Sequence, residues 1–113
     1  MATRLTDAIE GADYPLTITV TNPAGGAVTP ASASWSLTDL QGNTINSRAD
    51  VALTPAASMP LVLQESDLDI PAGYDFADRV LRIVGTYDDP TYGAGVSFLQ
   101  VFSFRVVRPG AGV

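Results

Sequence analysis

The chain has 113 residues, with ten Asp and two Glu against six Arg and no Lys, and a formal net charge of −6. It contains no cysteine and no histidine, which excludes disulfides, thiol nucleophiles and imidazole bases. The acidic balance argues against a nucleic-acid binder, which needs a basic stripe, and against electrostatic docking on anionic lipid.

The opening MATRLTDAIEGADYP has no apolar signal core and no later run reaches the ~20 apolar residues of a membrane helix. The protein is therefore expected to be made and kept in a cytoplasm, with residues 1–13 as an N-terminal arm. PLTITVTN places Leu16, Ile18 and Val20 on one face and Thr17, Thr19 and Thr21 on the other, the mark of a half-buried strand. NPAGGAVTP follows as a loop, broken by Pro23 and Gly25-Gly26. SASWSLT alternates again, with Ala33, Trp35 and Leu37 against Ser32, Ser34, Ser36 and Thr38, so Trp35 is the expected core anchor.

TDLQGNTI reads as a strand end, a turn at Gln41-Gly42-Asn43 and a short return strand. DVALTP and MPLVLQ are two further short strands. ESDLDIPAG suits one helical turn, with Ser66 as cap and Pro71 as stop. RVLRIVGTYDD, with Leu81, Ile83 and Tyr87 on one side, then DPTYGAG and GVSFLQVFSFRVVR, make a hairpin; the tail 109–113 is expected to be flexible. The sum is an all-β chain forming one antiparallel, immunoglobulin-like β-sandwich of about seven to eight strands over residues 1–113.

The last strand carries apolar residues on both faces. Val96, Phe98, Phe102, Phe104 and Val106 form the expected core face, interrupted by Gln100. Leu99, Val101 and Val107 share the other face with Ser103 and Arg105. Two explanations compete: a loop or the N-terminal arm roofs this second face, or a neighbouring subunit covers it. A large exposed apolar patch usually marks an interaction surface, so Leu99, Val101, Arg105 and Val107 are the candidate interface. If assembly instead uses strand addition, it should avoid edges near Pro30, Pro55 and Pro60, because proline removes a ladder donor.

The segment Ile9–Ile45, IEGADYPLTITVTNPAGGAVTPASASWSLTDLQGNTI, resembles the small immunoglobulin-like domains of tailed-phage virions, such as the N-terminal domains of upper baseplate proteins and several head-associated proteins. Gly11 matches the opening turn, and Leu16, Ile18 and Val20 the first core strand. Asn22, Gly25 or Gly26, and Val28 match the loop. Ala33, Trp35 and Leu37 match the second core strand, and Asp39 with Gly42 the next turn. The chain departs where Ala12-Asp13 replaces the family's Asp-Thr and Val28-Thr29-Pro30 replaces Leu-Thr-Gly. The resemblance covers about a third of the chain and implies architecture more than role.

No catalytic constellation emerges. Asp67, Asp69, Asp75, Asp78, Asp88 and Asp89 are expected in loops, serving turns rather than acid–base chemistry. DLDIPAGYD offers Asp67, Asp69 and Asp75 around Gly73, but lacks the spacing and terminal Glu of an EF-hand. YGAG lacks the strand–turn–helix setting of a phosphate loop. No metal or cofactor is expected, and the chain is expected not to be an enzyme. With the resemblance, this implies a structural virion protein contacting capsid, connector or tail subunits, or further copies of itself, with head decoration or completion first. The alternative is a carbohydrate- or receptor-binding module of a tail, baseplate or secreted adhesin, which predicts that the tyrosines among Tyr74, Tyr87 and Tyr92 converge with aspartates at one end.

Overall fold

The computed structural model describes residues 3–22 and 24–108. The break assigned to Pro23 and the flexible tail at 109–113 lie outside the described residues. Within them the protein is all-β, with ten strand segments and one 3₁₀ turn.

The largest sheet is built on a long hairpin, β9 (Phe76–Asp89) and β10 (Gly93–Val107). The strand β6 (Ser32–Thr38) lies antiparallel beside β9, and the short β7 (Val51–Ala52) beside β6. Along the free edge of β10 run β1 (Thr3–Arg4) and β2 (Ala8–Ile9), both parallel to it. The sheet is therefore mixed, where an all-antiparallel arrangement was expected. Parallel neighbours need a long intervening connection, and here the whole chain supplies it.

A two-stranded ribbon, β3 (Tyr14–Ile18) with β8 (Met59–Leu63), packs on the inward face of this sheet, and β4 (Val20–Thr21) pairs with β5 (Ala27–Val28) beyond it. Alternation decides what meets in the middle. Ile18 and Val20, Met59, Leu61 and Leu63, Trp35 and Leu37, Leu81 and Ile83, and Phe104 and Val106 are all buried in one core. Tyr14 meets Phe104 edge to face at 5.4 Å. Trp35 is the buried anchor the alternation predicts. Gln100, the polar interruption of the core face, is satisfied by donating to the Thr19 carbonyl at 2.9 Å, at the break between β3 and β4.

Proline marks the ribbon's free sides. Pro15 pairs with Val62 and Pro60 with Thr17. Opposed residues alternate between hydrogen-bonded and non-bonded pairs, and proline cannot donate. Both therefore fall in the non-bonded class, so each outer edge of the ribbon lacks one donor.

Three local readings change. The return strand after Gly42 shrinks to one bridge, Thr38 with Thr44. Asp39 holds that turn instead, accepting from the Gln41 and Asn43 N–H groups at 2.9 Å each, and bonds to Asn43 keep its carboxyl below the usual range. The turn Glu65–Leu68 is capped from Gln64, not Ser66: the Gln64 N–H donates to Asp67 Oδ2 at 2.9 Å. Asp78, Asp88 and Asp89 lie within β9 rather than in loops.

Candidate functional site

The second face of the hairpin is the most distinctive surface. On β10, Leu99, Val101, Ser103, Arg105 and Val107 point outward, opposite the buried Phe104 and Val106. On β9 the outward residues are Phe76, Asp78, Val80, Arg82 and Val84, opposite the buried Ala77, Leu81 and Ile83. The register aligns them in rows: Val107 with Phe76, Arg105 with Asp78, Ser103 with Val80, Val101 with Arg82, and Leu99 with Val84. The serine and threonine face of β6 continues the rows through Ser34, Ser36 and Thr38.

The N-terminal arm does not roof this face. It adds to the sheet edge-on: the Leu5 N–H donates to the Ser103 carbonyl and the Glu10 N–H to the Val107 carbonyl, both at 2.8 Å. Ala8 turns into the core and Ile9 extends the row of Val107 and Phe76. Leu99 remains 60% exposed, Phe76 45% and Ile9 43%. The arm reading of the covered face is thus corrected: the arm seals an edge, and the face stays open. Pairing to a ladder satisfies the arm's backbone polar groups, which lying across a side-chain surface would not.

One end of the face is internally braced. Arg105 donates to Asp78 through Nε at 2.9 Å and Nη2 at 3.4 Å, a bidentate pair. Its guanidinium also lies 3.9 Å over the Phe76 ring. Bonding to Asp78 raises the Arg105 guanidinium above its ordinary value. The other end is free: Arg82 is exposed and makes no ion pair among the described residues.

The sequence reading named Leu99, Val101, Arg105 and Val107, and the fold sets all four on this one face. It missed the β9 half. Alternation in FADRVLRIV carried the signal, but the strand was expected to start at Arg79, which hid Phe76 and Asp78.

Two other places hold buried charge. A groove of about 350 Å³ opens at the foot of β9, lined by Asp39, Leu40, Tyr74, Phe76, Asp78 and Arg79 among others. Arg79 is buried; it donates to the Asp78 carbonyl at 2.9 Å and the Asp69 carbonyl at 3.0 Å, while its Nε has no partner among the described residues. Burial pulls its guanidinium below its ordinary value, with Asp39 and Asp78 opposing. The second place is Asp67, fully buried, which accepts from Asn46 Nδ2 at 2.7 Å and Arg48 Nε at 2.8 Å besides the Gln64 N–H. Burial works against its charge, but these bonds outweigh it and hold the carboxyl below the usual range. Its oxygens are thus engaged, and among the described residues no three acidic side chains gather as metal ligands would. The tyrosines diverge: Tyr87 is buried, while Tyr74 precedes β9 and Tyr92 sits at the hairpin tip, at opposite ends of the long strand.

Comparison with known proteins finds no matching family model, no matching curated protein and no matching solved structure.

Proposed function

We propose that the chain is a non-enzymatic structural protein of a tailed-phage virion, docking on head, connector or tail subunits through the outer face of its large sheet. The observation that carries the reading is that open face: Leu99, Phe76 and Ile9 stand exposed around half-buried valines, on rigid strands rather than loops. Repeated docking of such a face adds modest energy per subunit, which symmetry multiplies.

The finer fold reading, immunoglobulin-like, draws support from the two packed layers and the buried Trp35 on a strand inside the sheet. The virion resemblance draws support from its turn positions: Gly11 and Gly42 both take the left-handed backbone, φ 87° each, that such turns require. Head decoration or completion is the favoured location. The carbohydrate- or receptor-binding alternative called for tyrosines converging at one end, and Tyr74 and Tyr92 lie at opposite ends of β9.

Density-gradient purification of particles from a lysate that contains the chain tests this. The chain should band with the particles, and the variant Leu99→Asp/Val101→Asp should stay in the soluble fraction while remaining folded by circular dichroism. Intact particles with all of the wild-type chain left soluble would overturn the reading.

A further inference from the structure

The outward residues of β9 read Phe76, Asp78, Val80, Arg82, Val84: apolar, acidic, apolar, basic, apolar. The series is symmetric in polarity about Val80 and opposite in charge. A strand with this pattern is complementary to itself reversed. We propose that the outer face binds a second copy of the same chain, the two sheets packing face to face about a two-fold axis that crosses the strands at Val80. The inference rests on the docking role given to this face: the second copy occupies it in the free protein and is displaced when the face docks on a particle.

Rotation about that axis lays β9 on β9 and β10 on β10, running in opposite directions. Val80 then meets Val80 of the second copy. Arg82, which has no ion pair among the described residues, meets the Asp78 of the second copy, and does so twice per dimer. Asp78 already holds Arg105 along one edge, so each carboxylate would sit between two guanidinium groups. At the ends, Val84 and Leu99 meet the Phe76 and Val107 row.

Packed sheets cross at about −30°, which displaces the end rows, two rows from the axis, sideways by roughly 7 Å or about one and a half strands. β9, β10 and, in the Phe76 row, Ile9 of the arm are apolar there, so a displacement toward β10 and the arm leaves apolar against apolar. The alternative axis, running along the strands, would set Arg82 on Arg82 and Asp78 on Asp78 if it lay on β9, and like charges reject that. Lying between β9 and β10, it would set Asp78 on an Arg105 that each copy already pairs within its own chain, and leave Arg82 against Val101 with no carboxylate. Arg4 faces its own copy at the rim, where each is paired with Asp7 at 3.4 Å.

The contact is small. Five rows at about 6.8 Å over β9 and β10 at about 4.8 Å per strand, with β6 and the arm meeting their counterparts only in the Val80 row, give roughly 400 Å² per copy. The total of about 800 Å² lies below the range of stable specific interfaces, which makes this a weak dimer, populated at high protein concentration.

Charge exchange tests the register. Sedimentation of the wild type over a wide concentration range should show a monomer–dimer equilibrium that weakens with added salt. Arg82→Asp and Asp78→Arg each create two like-charge contacts per homodimer, so each variant alone should dissociate roughly a hundredfold more readily. Mixed in equal amounts they should dimerise again, because every contact then joins Asp to Arg. Circular dichroism and melting of each variant establish that it is folded.

A wild type that is monomeric at every concentration overturns the proposal. A dimer that both variants retain, or that mixing fails to restore, overturns it as well. None of these outcomes touches the banding of the chain with particles, so failure of the dimer and failure of the virion reading are distinguishable.

Discussion

Asp67 shows how much one buried carboxylate holds here. It joins the 3₁₀ turn at Gln64 to Asn46 and Arg48, in a loop where Asn46, Ser47 and Asp50 all adopt positive φ, 51–57°. Residues other than glycine resist that conformation, so the bonds to Asp67 offset local strain. Because its folded pKa is depressed, Asp67 stabilises the fold above the ordinary carboxylate range, and that contribution is lost as pH falls through the folded value. Asp67→Asn should cost about 2–3 kcal/mol at neutral pH, since it weakens charged bonds in a buried site. Thermal melts against pH check this: the variant should melt roughly 10 °C lower at pH 7, and the gap should close as the pH drops below 4. The sequence could not reveal this cluster. Asp67 lies 19 and 21 positions from its two side-chain donors, and a string rich in Asp, Ser and Gly marks loops without saying which carboxylate turns inward.

Strands of five residues or more were legible because alternation survives over that length. SASWSLT matches β6 residue for residue, and MPLVL is buried at every other position. Two-residue segments carry no period, so β1 and β2 were read only as an arm and their partner stayed hidden. Ladder partners also turn on features with little local signal. Gly85 is one: a Cβ there would overlap the Ser32 carbonyl and lie 2.7 Å from the Phe98 ring. Its missing side chain lets β6 and the Phe98 ring close over β9, with Phe98 directly opposite in register. Gly85→Ala should therefore force β6 aside and cost about 2 kcal/mol or more, seen as a lower denaturant midpoint. An unchanged midpoint would show that this approach is not required for stability.

At the scale of the molecule, 51 × 25 × 23 Å, both long sides of the principal sheet end in short strands, β7 on one and the arm on the other. The arm is the more consequential, because it covers the backbone of a 15-residue strand that would otherwise offer an open ladder. Deleting residues 1–10 removes the buried Ala8 together with the Leu5 and Glu10 donors, and so uncovers the carbonyls of Ser103 and Val107. The truncated protein should melt lower and scatter increasing light on storage, whereas Leu99→Asp/Val101→Asp should not, since it leaves the edge sealed. A truncated protein that stays monodisperse would mean that the edge is harmless. The pairing of Thr3 with Phe102 also sets an order of events. The arm needs a strand that lies far downstream of it in the chain, so it cannot dock until β10 has been synthesised. Closing so long a loop is slow. The hairpin edge is therefore unguarded in the newly made chain for longer than in any later moment of its life, and crowding by sibling chains is most hazardous then.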